Sequence, residues 1–181
     1  MMRGRTPLWP LARELARTLF SFAGQRCTAP RRLIVARSVP AAFKSALVEA
    51  IESLRLGDAQ HAETDVGPLV SREAQDRIHA LVTESLRQGG RLLCGGEMPA
   101  EMTHGCWYRP TLLENLDPQA RAVCEEAFGP VAVWQDAADF DEALRLCNGV
   151  RHGLVATLIS ANREYQARFL ERAEAGILRI N

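Results

Sequence analysis

Lysine is almost missing from this sequence, and neither sign of charge is in excess. Lys44 is the only lysine, and 22 basic side chains are balanced by 22 acidic ones. A surface without net charge has no field to draw a nucleic acid or an anionic membrane toward it. We therefore expect neither nucleic acid nor a membrane surface as a partner.

The cysteines and histidines lack the spacings of structural sites. The five cysteines are an odd number, and no two form a Cys-x-x-Cys pair. This argues against a disulfide framework and against a structural zinc site. The four histidines are scattered, with no metal-ligand spacing. We therefore predict that the protein binds no metal. We also predict that it is located in a reducing compartment.

Long apolar runs are also missing. No stretch approaches the length of a membrane-spanning helix. The first residues are basic, but they lack the apolar region and the small-residue cleavage site of a signal peptide. These features together predict a cytoplasmic protein.

The stretch Phe20–Val35 carries the clearest local signal. Apolar residues between Leu11 and Leu19 fall at helical spacing ahead of it, and Leu33–Val35 forms a short apolar run typical of a buried strand. Gly24 is expected to end the helix, which places Cys27 on the turn between helix and strand. Loops held by a rigid scaffold often carry reactive side chains. On residue type alone, a small buried core cysteine is the alternative interpretation.

Three arginines surround this cysteine in the sequence, namely Arg26, Arg31 and Arg32. A guanidinium that points toward Cys27 would favour its thiolate form. Arg26, next to Cys27, is also a weak hint of an acidic substrate, with a solvated arginine as the alternative.

Two motifs resemble those of the aldehyde dehydrogenase superfamily. Gly24-Gln25-Arg26-Cys27 is similar to the Gly-Gln-x-Cys motif of its catalytic cysteine. About a hundred residues later, Glu126-Ala127-Phe128-Gly129-Pro130 is similar to its Glu-x-Phe-Gly-Pro segment, which contacts the nicotinamide riboside. Two motifs in the right order are far more specific than either alone. Weaker motif matches extend the resemblance over nearly the whole chain, from about Leu11 to Asn181.

The resemblance implies the residue roles. Cys27 would be the nucleophile that attacks a small aldehyde. Glu126 would accept hydrogen bonds from the ribose hydroxyls of NAD or NADP, and Phe128 would lie against the nicotinamide. The aldehyde would be oxidised to a carboxylic acid through a thiohemiacetal and a thioester, and the complete protein would be a homo-oligomer. By residue type alone, Glu125-Glu126 would be interpreted as a solvated pair.

The sequence also departs from the family. It contains no Gly-x-Gly-x-x-Gly element, the fingerprint of dinucleotide binding, and no counterpart of the family's Glu-Leu-Gly-Gly general base. We expect an irregular lead-in over residues 1–10 and a catalytic domain over residues 11–181, without the cofactor-binding domain and the C-terminal oligomerisation segment. The alternatives are a CoA-acylating relative and a non-catalytic fragment that acts only by association.

Periodicity predicts alternating helices and strands. Helices are expected over about 11–23, from Pro40 to Gly57, after Ser71, after Asp139 and after Asn162, and strands near 32–36, 91–94, 108–113, 131–134, 154–159 and 177–180. This alternation indicates an α/β fold with a largely parallel open sheet and flanking helices.

Overall fold

Helices and strands alternate along the chain, as the sequence predicts. A computed structural model describes residues 8–181, so most of the expected lead-in over residues 1–10 lies outside the described residues. The helices are α1 (Trp9–Phe20), α2 (Ala42–Glu52), α3 (Arg72–Arg87), α4 (Arg121–Cys124), α5 (Phe140–Asn148) and α6 (Arg163–Arg172). The strands are β1 (Arg32–Ala36), β2 (Arg91–Cys94), β3 (Thr111–Glu114), β4 (Val131–Ala137), β5 (Val155–Leu158) and β6 (Ile177–Ile180).

Helix α1 begins earlier and ends earlier than predicted. Pro10 stands in its first turn, where the missing N–H would have no helical partner in any case. The predicted continuation to Ala23 is wrong because Phe22 and Ala23 have positive φ angles of 54° and 53°. A right-handed helix cannot pass through these conformations, so α1 ends at Phe20.

The predicted side-chain caps of three helices are confirmed. The Ser71 hydroxyl accepts a hydrogen bond from Ala74 N–H, and the Asp139 carboxylate accepts one from Glu142 N–H. Asn162 caps α6 in the same way. Each cap satisfies a backbone donor that has no partner inside its helix.

Helix α2 is shorter than predicted at both ends. It spans Ala42–Glu52 without a side-chain N-cap, rather than running from Pro40 to Gly57. Beyond its end, the chain pairs with a later segment instead of continuing as a helix. Leu56 forms an isolated parallel bridge with Val66, and Gly57 N–H donates to the Val66 carbonyl at 3.1 Å.

The main sheet confirms the α/β prediction. Its strand order is β1-β4-β3-β2, with β4 parallel to both β1 and β3. Strand β2 is antiparallel to β3, because the connection between them contains no crossover helix that would return the chain to the same direction. The single open sheet needs one correction, since β5 and β6 form a separate parallel pair.

Two apolar clusters hold these elements together. The larger surrounds the four-stranded sheet and includes the fully buried Leu47, Ile78, Leu112 and Val133. The smaller joins α5 to α6 and the β5–β6 pair, where the Phe140 and Tyr165 rings stack 4.4 Å apart. A polar contact also links the main sheet to α5. The Arg32 guanidinium on β1 donates to the carbonyls of Leu146 and Cys147 at the end of α5. Within residues 8–181, no helix combines the length and apolar character needed to span a membrane.

Candidate active site

Cys27 lies on an exposed turn between α1 and β1, as predicted. The turn is closed by a backbone hydrogen bond from Ala29 N–H to the Arg26 carbonyl at 3.1 Å. Strand β1, which follows, is paired with β4 along its whole length. The alternative of a buried core cysteine is therefore excluded by the position of the side chain, and Cys27 is a thiol that a solute can reach.

A left-handed turn brings the chain from α1 to Cys27. Phe22, Ala23 and Gly24 have consecutive positive φ angles of 54°, 53° and 67°. Such conformations cost L-residues about 1–2 kcal/mol each, and only glycine adopts them freely. Strain of this kind concentrates at functional sites, where the surrounding structure holds it in place.

Gly24 lets the two sequence motifs touch. A Cβ atom at this position would lie 2.2 Å from the Gly129 carbonyl oxygen, so only glycine permits this approach. Gly129 is itself packed against Ile78 of α3, which a Cβ at position 129 would meet at 2.4 Å. The motif around Cys27 and the motif around Phe128 are therefore one structural unit.

The two neighbouring glutamates have different surroundings. The Glu125 carboxylate accepts hydrogen bonds from Arg121, one helical turn earlier, and this arginine lowers the pKa of Glu125. Glu126 is exposed, and no hydrogen bond or ion pair engages its side chain within residues 8–181. Glu126 therefore has both carboxylate oxygens available to a ligand, whereas one oxygen of Glu125 is engaged by Arg121.

Glu126 and Phe128 face a cleft together with the turn that carries Cys27, residues 24–29, which we call the cysteine turn. This cleft is lined by Gly24, Arg26, Arg31, Glu126, Phe128 and Val131. Phe128 is 40% exposed and has a positive φ of 48°. Its ring also lines a wider cleft of about 750 Å³, shared with Phe22, Gln25, Pro68, Val70 and Arg77. An apolar ring beside a free carboxylate suits a ligand with one flat and one hydroxylated part.

Of the three arginines near Cys27, Arg26 and Arg32 are engaged elsewhere, whereas Arg31 lines the cleft. The Arg26 guanidinium donates to the Ser21 hydroxyl at 2.6 Å and lies 5.0 Å from the centre of the Phe22 ring. Arg32 binds the end of α5. Arg31 is half-buried, and burial lowers the pKa of its guanidinium against the opposing attraction of Glu126. No hydrogen bond or ion pair between Cys27 and these arginines occurs among the described residues.

The buried cysteines are poor alternatives to Cys27. Burial raises the pKa of Cys94 to about 11, and it also raises the pKa of Cys147, against the attraction of Arg32. A thiol with a raised pKa holds little thiolate near neutral pH, and the thiolate is the nucleophile. Exposure and position therefore single out Cys27 over these two.

Gln25 was not identified from the sequence as a functional residue. Its carboxamide makes three hydrogen bonds, two of them to the loop that precedes α3. Gln25 belongs to the Gly-Gln-x-Cys motif, and a carboxamide both donates and accepts. These two properties are signals in the sequence that could have indicated a bridging role.

We expect replacement of Phe22 by asparagine to stabilise the protein slightly. Phe22 is 70% exposed, so its ring contributes little burial, and asparagine tolerates positive φ better than phenylalanine. The lost contact with Arg26 offsets part of the gain, which leaves an increase of about 0.5 kcal/mol in the free energy of unfolding. Urea denaturation measures this increase. Val70→Asn, at an exposed position without a positive φ, is the control and should give no increase.

The comparisons with known proteins agree with this geometry. The sequence model described as the aldehyde dehydrogenase family matches residues 6–181. The chain belongs to the aldehyde dehydrogenase family. Among curated members, it is 37% identical over 158 residues to the succinate semialdehyde dehydrogenase [NAD(P)+] of Escherichia coli. This alignment covers 87% of this chain and 34% of that protein. It is 33% identical over 162 residues to the betaine aldehyde dehydrogenase of Cereibacter sphaeroides, which covers 90% of this chain and 33% of that protein.

Solved aldehyde dehydrogenase structures show the same fold. A betaine aldehyde dehydrogenase variant from Staphylococcus aureus, in complex with NAD+, superposes with a TM-score of 0.90 at 26% identity over 98% of this chain and 36% of that chain. A 1-pyrroline-5-carboxylate dehydrogenase from Thermus with bound NAD superposes with a TM-score of 0.89 at 28% identity. The superposition covers 96% of this chain and 33% of that chain. The chain thus spans about a third of the length of the family members it matches.

Proposed function

We propose that Cys27 is the nucleophile of an NAD(P)-dependent aldehyde dehydrogenase that oxidises a small aldehyde to a carboxylic acid. The observation that carries this proposal is the contact of Gly24 with Gly129. It brings an exposed thiol turn and an unpaired carboxylate, about a hundred residues apart in sequence, to one cleft. Two related proteins have structures with NAD bound.

Cys27 and the residues of the neighbouring cleft have side chains suited to the roles expected of them. A thiolate is the best protein nucleophile for an aldehyde carbon near neutral pH. Its attack forms a bond between the Cys27 sulfur and the carbonyl carbon, and the negative charge moves to the carbonyl oxygen. A backbone N–H beside the nucleophile is the usual donor to such an oxyanion. Once this carbon is oxidised, it is a thioester of Cys27, and water cleaves it to the acid and the free thiol.

The cofactor would be held by Glu126 and Phe128. A carboxylate offers only acceptors and can therefore bind two ribose hydroxyl groups at once. The Phe128 ring offers an apolar surface for the nicotinamide. When bound, NAD or NADP supplies the hydride acceptor for the reaction.

We expect the 181-residue chain alone to show no steady turnover. Its sequence provides no dinucleotide-binding glycine motif and no matched general base, and the loss of a general base typically costs about 10²–10⁴ in rate. Glu126 and Phe128 would bind only the nicotinamide riboside end of the cofactor. The absorbance of NADH, followed with purified protein, aldehyde and NAD, measures turnover. Steady aldehyde-dependent NADH formation would contradict the expectation.

A segment exchange tests the proposed role of Cys27. The homologous segment of the Escherichia coli relative is replaced by this chain, and aldehyde-dependent NADH formation is measured. The chimera should be active, its Cys27→Ala variant inactive, and its Cys147→Ala variant close to the parent, because Cys147 is half-buried and away from the cleft. If the full exchange does not fold, exchange of residues 20–35 and 124–131 alone serves the same purpose. Activity that survives Cys27→Ala would refute the proposal.

A further inference from the structure

The Gln25 carboxamide joins the cysteine turn to a distant loop. Its Nε2 group donates to the Pro68 carbonyl at 3.2 Å, and its Oε1 atom accepts from Val70 N–H at 2.8 Å. The same Nε2 group also lies 3.3 Å from the Phe22 carbonyl, at the start of the left-handed turn. One side chain therefore connects segments that are more than 40 residues apart in sequence.

The loop at the other end of this connection is itself firmly held. Leu69 is buried, and its N–H donates to the Cys106 carbonyl at 2.8 Å. Ser71 follows at once and caps α3. The hydrogen bonds to Pro68 and Val70 thus tie the cysteine turn to a loop that is anchored to the rest of the domain.

The contacts within the cysteine turn are few by comparison. Within the turn, Ala29 N–H donates to the Arg26 carbonyl, Gln25 N–H donates to the Phe22 carbonyl, and the exposed Arg26 side chain donates to Ser21. These bonds stay within one segment of the chain. Beside the close approach of Gly24 to Gly129, the Gln25 side chain, two residues before Cys27, therefore fixes the turn to the loop that precedes α3.

We infer that Gln25 is a positioning residue, which fixes the place of Cys27 relative to the cleft. This inference rests on the proposed role of Cys27 as nucleophile. The role requires a side chain that donates at one end and accepts at the other. Methionine has a similar length but can do neither, and glutamate can accept from Val70 N–H but would face the Pro68 carbonyl with a second acceptor.

The test is the alkylation rate of Cys27 with iodoacetamide, measured by mass spectrometry of the intact 181-residue chain between about pH 6 and 9. A synthetic peptide of residues 21–30 gives the rate for an unconstrained turn. We expect the folded chain to differ from the peptide, and Gln25→Met to shift the Cys27 rate about threefold or more toward the peptide value. Gln88→Met is the matched control, since it removes an exposed glutamine bond to Glu84 at the C-terminal end of α3 and should leave the Cys27 rate unchanged.

Cys147 and the urea midpoint of the same samples separate positioning from general stability. Equal acceleration of Cys27 and Cys147 in Gln25→Met would show a general loosening and would overturn the inference. So would an unchanged Cys27 rate, or a native rate equal to that of the peptide. If Gln25→Met does not fold, Gln25→Glu takes its place, because it keeps the bond to Val70. The segment exchange reports separately on the nucleophile, so the two proposals fail by different measurements.

Discussion

Replacing Gly24 with alanine should destabilise the protein by about 2–4 kcal/mol. The positive φ of 67° costs alanine about 1 kcal/mol. The new methyl group would lie 2.2 Å from the Gly129 carbonyl oxygen and 2.8 Å from its carbon. These are backbone atoms that a side-chain rotation cannot move, so overpacking adds about 1–3 kcal/mol. Urea denaturation followed by tryptophan fluorescence measures the sum.

Gly89→Ala is a matched control for this prediction. Gly89 also has a positive φ, of 93°, but a Cβ there would meet nothing within 4 Å. This variant should lose only the backbone contribution of about 1 kcal/mol. Equal losses in Gly24→Ala and Gly89→Ala would mean that the contact between the two motifs contributes nothing to stability.

Lys44→Met should destabilise the protein by about 2–3 kcal/mol. Glu114 is buried at the end of β3, and its carboxylate accepts hydrogen bonds from Lys44 at 2.8 Å and from Arg91. The Lys44 ammonium also lies 4.6 Å from the centre of the Trp134 ring. Removal of one partner leaves a buried carboxylate partly uncompensated, which costs several kcal/mol when no second cation is present. Arg91 remains in this variant, so we expect the lower part of that range.

The effect of Lys44→Met should depend on pH. Burial disfavours the Glu114 carboxylate, but the hydrogen bonds and charges of Lys44 and Arg91 outweigh burial and hold the pKa of Glu114 below its ordinary value of 4.5. A lowered pKa gives stability that is complete above the unfolded value and is lost as pH falls through the folded value. The difference between wild type and Lys44→Met should therefore be largest above about pH 5 and shrink toward pH 3.

Arg109→Met is the control for the ion-pair prediction. Arg109 pairs with Glu97 and Glu101, which are both well exposed. Exposed pairs contribute about 0–1 kcal/mol, so its loss should be small. A difference between wild type and Lys44→Met that stays constant from neutral pH to pH 3 would contradict the assignment of the effect to Glu114.

Local signals in the sequence predicted most of the elements. Ser71, Asp139 and Asn162 cap their helices through bonds between neighbours in sequence, and such bonds can be read from residue type and spacing. The end of α1 could not be read in this way. Phe22 and Ala23 have side chains that favour right-handed conformations, so their residue types do not indicate the left-handed turn that ends the helix.

The sequence named candidate residues of the site but not their arrangement. The motifs named Cys27, Glu126 and Phe128, and the structure places Glu126 and Phe128 in one cleft with the cysteine turn. The family motif assigned the ribose contact to Glu126 rather than Glu125, but the sequence could not show that Arg121, one turn earlier on the short helix α4, engages Glu125. The sequence also could not show that the Arg26 guanidinium donates to Ser21, because the long arginine side chain can contact many different partners from one backbone position.

The ion pairs of Lys44 also decide how this protein can be labelled. Reagents that modify side-chain amines, including formaldehyde, glutaraldehyde and activated esters, find one lysine in the sequence, and its ammonium is already held between Glu114 and the Trp134 ring. Fixation or surface coupling through lysine should therefore be inefficient, and where it succeeds it should disturb a buried ion pair. The exposed thiol of Cys27 is the better handle for a probe. A probe attached there would lie on the turn whose Gly24 and Arg26 line the cleft beside Glu126.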